Sequence, residues 1–501
     1  MKSLLLKPAY FILTVVLTVA LLYLAAFSFF SASPVVLWTD ALVFVLLLSI
    51  LAFALSAYNK PHLRESWRRV FCHKLGVAAL VILIFYAITG VVDSIHFRLV
   101  LNESDSSNGE LTRLSNDTLS VLDLMLTPLR SHDEKTYSAP FATHSFAKEN
   151  VEISPGVTRR VFQRLEYGGR HLQDVDGKWL DVFVKGLYGL AIGLLLFGLI
   201  VFPLIFLLAK AQASRFMDIA RRMLDGTSSE IPWRVILGVV ATILVVVGMI
   251  IAWAPYYHIM GTDKVGQDVL YQAIKSVRTG LVIGTLTTLV MLPFAVLLGI
   301  MAGYFKGWID DVIQYLYTTL SSIPGVLLIA ASILTIQVYM SNHPEMFQTD
   351  AERADMRLFF LCLILGITSW TGLCRMLRGE AMKLRESDYV SAALALGVRP
   401  FSLLRRHIQP NVMHIVLIAV VLDFSGLVLA EAVLSYVGVG VDPSMHSWGN
   451  MINSARLEMS RDPIVWWSLL AAFVFMFILV LAANLFSDAV RDAFDPRLRK
   501  Q

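Results

Sequence analysis

Charged side chains are scarce in this chain. Asp, Glu, Lys and Arg make 16% of its 501 residues, against about a quarter in soluble globular proteins, which sets aside an ordinary water-soluble domain. Cysteine is nearly missing. Cys72, Cys362 and Cys374 are all there are, the last two in or beside apolar runs, so no disulfide framework is indicated. A net charge of +4 is too small to argue for a nucleic-acid partner. Reactive signatures are absent as well: no Gly-x-x-x-x-Gly-Lys-Ser/Thr phosphate loop, no His-Glu-x-x-His zinc helix and no Gly-x-Ser-x-Gly nucleophile elbow occur. The eleven histidines are scattered, so neither a catalytic site, a metal nor a cofactor is expected. No internal repeat or low-complexity stretch stands out.

What the chain has is apolar sequence, 56% of all residues. Crossing the hydrocarbon of a bilayer takes about 20 such residues as a helix. Ten candidate runs of that kind fall near 9–31, 36–57, 75–93, 183–208, 234–254, 279–303, 311–338, 357–376, 412–437 and 464–487. The first has no small-residue cleavage site and reads as a retained span. Basic residues then orient the bundle. Lys2 and Lys7, the group Lys60 to Lys74, the group Lys210 to Arg222, the loop from Arg375 to Arg406, and the tail from Arg491 to Lys500 fall on one side if the amino terminus is inside. Both termini are therefore expected in the cytoplasm. The chain divides into three N-terminal spans (1–93), a polar outer stretch (94–178) that reads as a small α+β domain, a fourth helix with linker (179–231), and a C-terminal core (232–501). The fold class is an all-α polytopic membrane protein carrying that one small domain, whose purpose is either to receive a binding protein or to cap the extra spans.

Between two apolar runs lies a polar, basic, glycine-broken segment, residues 386–411. Tyr389, Ala392, Ala393 and Leu396 recur at the spacing of one helical face, with Ser387 or Asp388 placed to cap its first amides. Gly397 ends that helix, and Pro400 suits the first turn of a second, Phe401 to Ile408, which Pro410-Asn411 closes. Small side chains at Ala392 and Ala393 let a partner approach the backbone closely. Read from these residues alone, the segment is either a docking site or a solvated loop helix.

The segment resembles the EAA loop of ABC-transporter permeases, here spanning 377–410. Tyr389-Val-Ser-Ala-Ala-Leu-Ala-Leu-Gly397 followed by Arg406-His407-Ile-Gln-Pro410-Asn411 is similar to the version in the dipeptide, oligopeptide and nickel family. Further pieces agree in order: Gly261-Thr262-Asp263 through Asp268, Ala302 to Gly307, Ile323-Pro324, Arg378-Gly379-Glu380, Glu431 to Gly440, Ser447 to Met451, and Asp488 to Arg497. The likeness covers roughly 232–498. It departs at Ser391, where the family usually has glutamate, and at Gln267, where it usually has arginine. The latter removes a potential ion pair with Asp263 or Asp268. What the resemblance implies is an inner-membrane permease subunit of an ATP-driven importer of peptides or similar polar solutes. Its implied partners are a second permease subunit, ATP-binding subunits that hydrolyse the nucleotide, and a periplasmic solute-binding protein. The coupling residues are then Tyr389, Ser391, Ala392, Ala393, Gly397, Arg405, Arg406, His407 and Pro410, with Arg399 as a further basic contact. Two other classes stay open, an ion-driven transporter or channel without an ATPase, and a membrane-bound hydrolase using carboxylates.

Acids within spans are costly and normally face protein or water. Asp423 stands near the centre of its run and Glu431 eight residues on. Both read either as lining of a translocation path or as carboxylates bonded to neighbouring helices. Asp40 and Asp93, near run ends, read as interfacial, as do Trp448 and Trp466-Trp467.

Overall fold

Inside a bilayer the backbone amides of an apolar run have no water to bond, so each run closes its own hydrogen bonds as a helix. The computed structural model describes residues 32–494 apart from 59–60, 102–112, 116, 155–156, 175, 212–214, 226–230 and 348. The expected span at 9–31 and the tail residues Arg497, Arg499 and Lys500 lie outside the described residues. The chain begins with a strand, β1 (Ala32–Val35), then α1 (Trp38–Tyr58), α2 (Pro61–Cys72) and α3 (Lys74–Asp93). Next come β2 (His96–Leu101), β3 (Arg113–Leu114), β4 (Leu119–Ser120), α4 (Val121–Met125), α5 (Thr127–Arg130), β5 (Glu149–Ser154) and β6 (Val157–Val161). Helices follow from there: α6 (Lys178–Ala211), α7 (Phe216–Asp225), α8 (Trp233–Trp253), α9 (Val269–Tyr304), α10 (Trp308–Ser322), α11 (Gly325–Asn342) and α12 (Asp350–Arg385). The last are α13 (Asp388–Ala395), α14 (Pro400–Leu403), α15 (Gln409–Tyr436), α16 (Trp448–Glu458) and α17 (Trp467–Phe494).

Eight helices among the described residues are long and apolar enough to cross a membrane, and α1 adds a shorter apolar stretch, Trp38–Ala52. The fold is a polytopic helical one. One expected span is not continuous: the run at 311–338 breaks into α10 and α11 at Ile323, where φ −89° and ψ 131° leave the helix. Pro324 causes it, having no amide to donate and forcing its predecessor to extend. Two others are longer than their apolar cores. At 36 residues each, α9 and α12 run about 54 Å, well beyond the roughly 30 Å of hydrocarbon, so both extend past it. They pack along most of that length and form the axis of the bundle. Call the end holding α13 and α14 the loop end, and the other the sheet end.

The sheet end is built from two separated stretches. Strand β1 pairs antiparallel with β2, Ala32 opposite Leu99 and Val35 opposite His96, and β3 and β4 also pair with β2. Short helices and strands alternate in this region, and its sheet recruits residues 32–35 from before α1, which sequence alone placed in a loop between spans. A separate hairpin, β5 with β6, completes its strands.

Two buried ion networks fix this domain and the N-terminal helices to α9. Arg278 of α9 donates from Nη2 to Asp40 at 2.6 Å and to Thr39 Oγ1 at 2.9 Å, and lies 3.4 Å from Asp355 of α12. His96 Nδ1 holds the other Asp40 oxygen at 2.8 Å, and the Thr39 hydroxyl bonds Asp355. One turn earlier, Lys275 sits 2.6 Å from Asp93 and 3.0 Å from Asp123, whose carboxylate also caps α4 through the Ser120 amide. Asp40 and Asp93 are therefore buried, at 0% and 2% exposure, not interfacial. Cations on α9 supply what water would otherwise have to.

The domain also docks on the core through residues 258–268. Glu134 accepts from the amides of Glu166, Tyr167 and Gly168 at 2.8–3.2 Å, and its own amide donates to Gly266 O at 3.0 Å. A β-carbon on Gly266, which holds φ +88°, would lie 1.7 Å from Glu134 O, so only glycine fits there. His258 donates to Asp268 at 2.9 Å and has Nε2 3.5 Å from Glu134. Burial opposes charge on His258, yet those two carboxylates outweigh it and raise its pKa to about 9. Glu134, equally opposed by burial, is pulled down to about 2 by His258 and the three amides. Trp448 and Trp467, expected at the interface, are instead interior at 1% and 2% exposure. Their indoles donate to Ala273 O and Thr262 O at 3.0 and 2.9 Å, which satisfies the one polar atom of each ring. Trp466 alone of the three is exposed.

Candidate functional site

Residues 386–411 fold as two short helices turned on Gly397. The Gly397 amide donates to Leu394 O at 2.9 Å and the Val398 amide to Ala393 O at 3.1 Å, the paired bonds of a Schellman closure, with Gly397 at φ +78°. Ser387 holds the N-cap backbone conformation, but its hydroxyl turns back to Leu384 O and makes no cap bond. The second helix does not stop at Pro410. It runs from Pro400 through Tyr436, and the ring that was expected to end it is absorbed by a wide turn over 404–408, in which the Gln409 amide bonds back to Leu404 O. Pro410 cannot donate, so one amide is missing from the ladder and a π turn takes up the slack.

Burial divides the expected residues into two sets. Val390, Leu403 and Ile408 are fully buried and Ala393 nearly so, packed with Ala381, Leu377 and Val412 into the core where α9, α12 and α15 meet. Ala393 is thus part of the inner face, not of the docking face on which its spacing placed it. Tyr389, Ser391, Ala392, Arg405, Arg406 and Pro410 are exposed, and His407 is partly covered. Leu396 at 85% and Phe401 at 75% exposure are the most open large apolar residues of the segment, with Arg399, Arg405 and Arg406 beside them. An apolar patch with a basic rim, left uncovered at the end of a bundle, is the shape of a docking surface. Phe401 was missed as a contact; its position one residue past Pro400 is the signal that could have found it.

The surface is tied to the spans at several points. Asn411 Nδ2 donates to the Tyr389 hydroxyl at 3.0 Å and to His407 O at 2.8 Å. Arg385 at the end of α12 reaches Gly303 O and Tyr304 O of α9 at 3.4 and 3.3 Å. Arg378 makes a two-pronged pair with Asp310 of α10 at 2.6 and 2.8 Å. These bonds join α13 to α15, and α12 beside it to α9 and α10.

The two carboxylates of α15 sit in different surroundings. Glu431 is 2% exposed and accepts from Ser435 Oγ at 2.6 Å, and a β-carbon on Gly449 would come within 2.9 Å of its Oε1. That is a closed helix junction. Asp423 is partly exposed and has no hydrogen-bond or ion-pair partner among the described residues. Eight residues at 100° each separate the two by about 80° around the helix, which puts them on neighbouring faces. At Gln267, where the family has arginine, it is the backbone N–H that donates to Asp263 Oδ1, at 3.0 Å, and the Gln272 side-chain amide donates to the other Asp263 oxygen at 2.8 Å. Asp263 is thus satisfied without an ion pair.

Residues 295–500 match the family described as binding-protein-dependent transport system inner membrane component. The glutathione transport system permease protein GsiD of Pectobacterium atrosepticum is 30% identical over 244 residues, 48% of this chain and 73% of that protein. The oligopeptide transport system permease protein OppC of Mycobacterium bovis is 31% identical over 242 residues, 48% of this chain and 77% of its own length. The dipeptide transport system permease protein DppC of Bacillus subtilis is 27% identical over 243 residues, 48% and 70% of the two chains.

Proposed function

Because this chain belongs to the family of binding-protein-dependent inner-membrane transport components, we propose that it carries peptides or similarly small polar solutes through an ATP-driven importer, paired with a second, different permease. It is a permease subunit of an ABC importer, a multi-span inner-membrane protein that transports and does not itself catalyse a reaction; an ATPase and a solute-binding protein complete such a system. Peptides are the cargo class that the names of its relatives suggest, glutathione, oligopeptides and dipeptides among them.

One observation carries the coupling mechanism. The exposed patch of Tyr389, Leu396 and Phe401 is continuous, through Val390, Leu403 and Ile408, with the core joining α9, α12 and α15. We assign Tyr389, Ser391, Ala392, Gly397, Arg399, Arg405, Arg406, His407 and Pro410 to this coupling segment, the exposed ones facing the ATPase and Ala393 its inner anchor. With the loop end in the cytoplasm, as the basic residues favour, ATP binding draws two ATPase subunits together and drags this segment with them. The spans follow as rigid bodies because their packing admits no gradual deformation. The ATPase can bias the conformations only by binding them with different affinity. Asp423, unpartnered and partly open, is the better candidate for lining the path; Glu431 fits an architectural role.

Reconstitution with the partner permease, the ATPase subunits and the solute-binding protein tests the reading. ATP-dependent uptake of a peptide is expected, and Gly397→Val should leave the protein inserted while ATP hydrolysis no longer drives uptake. Uptake that persists in vesicles without any ATPase would favour an ion-driven carrier instead.

A further inference from the structure

At the sheet end a cavity of about 1080 Å³ opens between the small domain, the first turns of α12, the end of α11 and the start of α9. A second, of about 470 Å³, adjoins it and shares Arg130, Tyr271 and His446 with it. The larger is at the top of the range for sites that take small ligands. Its walls come from both the C-terminal core and the N-terminal region.

Every charged side chain of the larger cavity's wall but two has an opposite charge beside it. Lys275 is held by Asp93 and Asp123, Arg357 by Asp442 at 3.2 Å, and Arg353 by Asp350 at 3.5 Å. Arg130, in the last turn of α5, and Asp117 are both exposed, and neither has an ion-pair partner among the described residues. Burial lowers the pKa of His446 to about 4, so the imidazole between the two cavities is neutral. Leu119, Met340 and Phe347 supply apolar wall between the polar groups. The larger cavity therefore offers one guanidinium and one carboxylate without an ion-pair partner among the described residues, while Asp133, on the wall of the smaller cavity, lies within electrostatic reach of Arg130. Its complement is a ligand with one charge of each sign, separated by uncharged backbone.

We propose that this cavity is a subsite on the permease itself for a short zwitterionic peptide, Arg130 taking the terminal carboxylate and Asp117 the terminal ammonium. The proposal rests on the importer reading above in that the sheet end then faces the side from which cargo arrives. A guanidinium binds a carboxylate through two parallel N–H bonds, and a carboxylate accepts readily from an ammonium. The paired cations around them set the electrostatic surroundings without competing for the ligand. The N-terminal extension would thereby hold cargo at the mouth of the path after its release from the solute-binding protein.

The test is equilibrium binding of trialanine, of its N-acetyl form and of its C-terminal amide to the assembled transporter in nanodiscs, without solute-binding protein. Trialanine should bind saturably, and each blocked form about 10-fold more weakly, the loss expected for one charge-assisted bond. Arg130→Gln should weaken trialanine about 10-fold and erase its advantage over the amide alone. Asp117→Asn should erase its advantage over the acetylated form alone. This pairing of each variant with one terminus is something general misfolding cannot produce. Equal binding of free and blocked peptides, no binding above empty nanodiscs, or discrimination retained in both variants would overturn the subsite. ATP-driven uptake, measured separately with the solute-binding protein present, reads the importer assignment: normal uptake with no such binding removes the subsite alone. Binding as described with no ATP-driven uptake removes the importer assignment and leaves the subsite in place.

Discussion

Asn411 and Tyr389 meet at 3.0 Å, amide to hydroxyl, and so join the first turn of a 28-residue spanning helix to the short helix that faces solvent at the loop end. The same amide holds His407 O at 2.8 Å, so one side chain clamps both halves of the turn. An exposed hydrogen bond of this sort contributes about 0.5–1.5 kcal/mol. Tyr389→Phe should therefore keep the fold and the assembly but lower the peptide imported per ATP hydrolysed by roughly 2- to 10-fold. The ratio of uptake to phosphate release in proteoliposomes measures it; an unchanged ratio would show that the bond plays no part in transmission.

Leu396 and Phe401 project beyond that clamp with little covering them, 85% and 75% exposed. Apolar anchors that become desolvated at an interface typically cost about 2 kcal/mol or more when truncated. Leu396→Ser combined with Phe401→Ser should reduce affinity for the ATPase subunits by at least about 10-fold. Since neither side chain supports the core, thermal stability in detergent should stay put. Co-purification of the ATPase with the tagged permease gives the readout.

How much of this was legible in advance depends on the length scale of the cause. Gly397 and the two short helices could be read because helix spacing and a left-handed closing glycine are local properties. The break at Ile323-Pro324 was equally local, and was overlooked because apolar length was weighed above the proline within it. Ala393 went to the wrong face because the spacing Tyr389, Ala392, Ala393, Leu396 describes a stripe, and only the position of α12 decides which edge is buried. The burial of Asp40 and Asp93 was out of reach. Their partners Arg278 and Lys275 are nearly 200 residues or more distant in the chain, and a single sequence carries no signal for that pairing. Glu134 was invisible as well, because its partners Glu166 to Gly168 and His258 are brought to it only by the fold.

The His258 cluster makes the stability of the sheet end depend on pH in a definite direction. His258 rises from 6.5 to about 9 on folding, so the folded state binds the extra proton between those values. Stability from this group is complete below about pH 6.5 and is lost as pH rises through about 9, a span worth about 3 kcal/mol. Glu134 acts oppositely: its contribution is present above 4.5 and is lost as pH falls through about 2. Limited proteolysis of residues 132–170 should thus accelerate between pH 7 and 9. In Glu134→Gln one of the two carboxylates facing His258 is gone, so the folded pKa falls, and the alkaline loss should be smaller and complete at lower pH.

Arg278 tests whether the N-terminal helices are fixed to the core or merely beside it. Arg278→Gln leaves Asp40 and Asp355 buried without their cation, a change that typically costs about 3–5 kcal/mol. A large fall in melting temperature and proteolytic release of the segment around α1 are expected. Adding Asp40→Asn should restore part of the loss, because the second change removes the stranded charge. Recovery of that kind identifies a coupled pair; simple addition of the two losses would mean that the residues act separately.

Asp423 and Glu431 can be separated by substitutions that keep shape and remove charge. Glu431 accepts a hydrogen bond from Ser435 inside a junction closed by Gly449, and a glutamine oxygen can accept the same bond. Glu431→Gln should then transport at near the normal rate, whereas Glu431→Ala leaves Ser435 without its partner and should cost about 1–3 kcal/mol of stability. Asp423 has no such partner to lose among the described residues, so Asp423→Asn should leave stability within about 0.5 kcal/mol. If its carboxylate lines the path, the cost falls on function instead, with uptake reduced several-fold at unchanged ATPase binding. A junction residue spoils the protein when its shape changes and a lining residue spoils transport when its charge changes. Measuring melting temperature and uptake for the three variants therefore sorts both positions at once, and an Asp423→Asn protein with normal uptake would take Asp423 off the path.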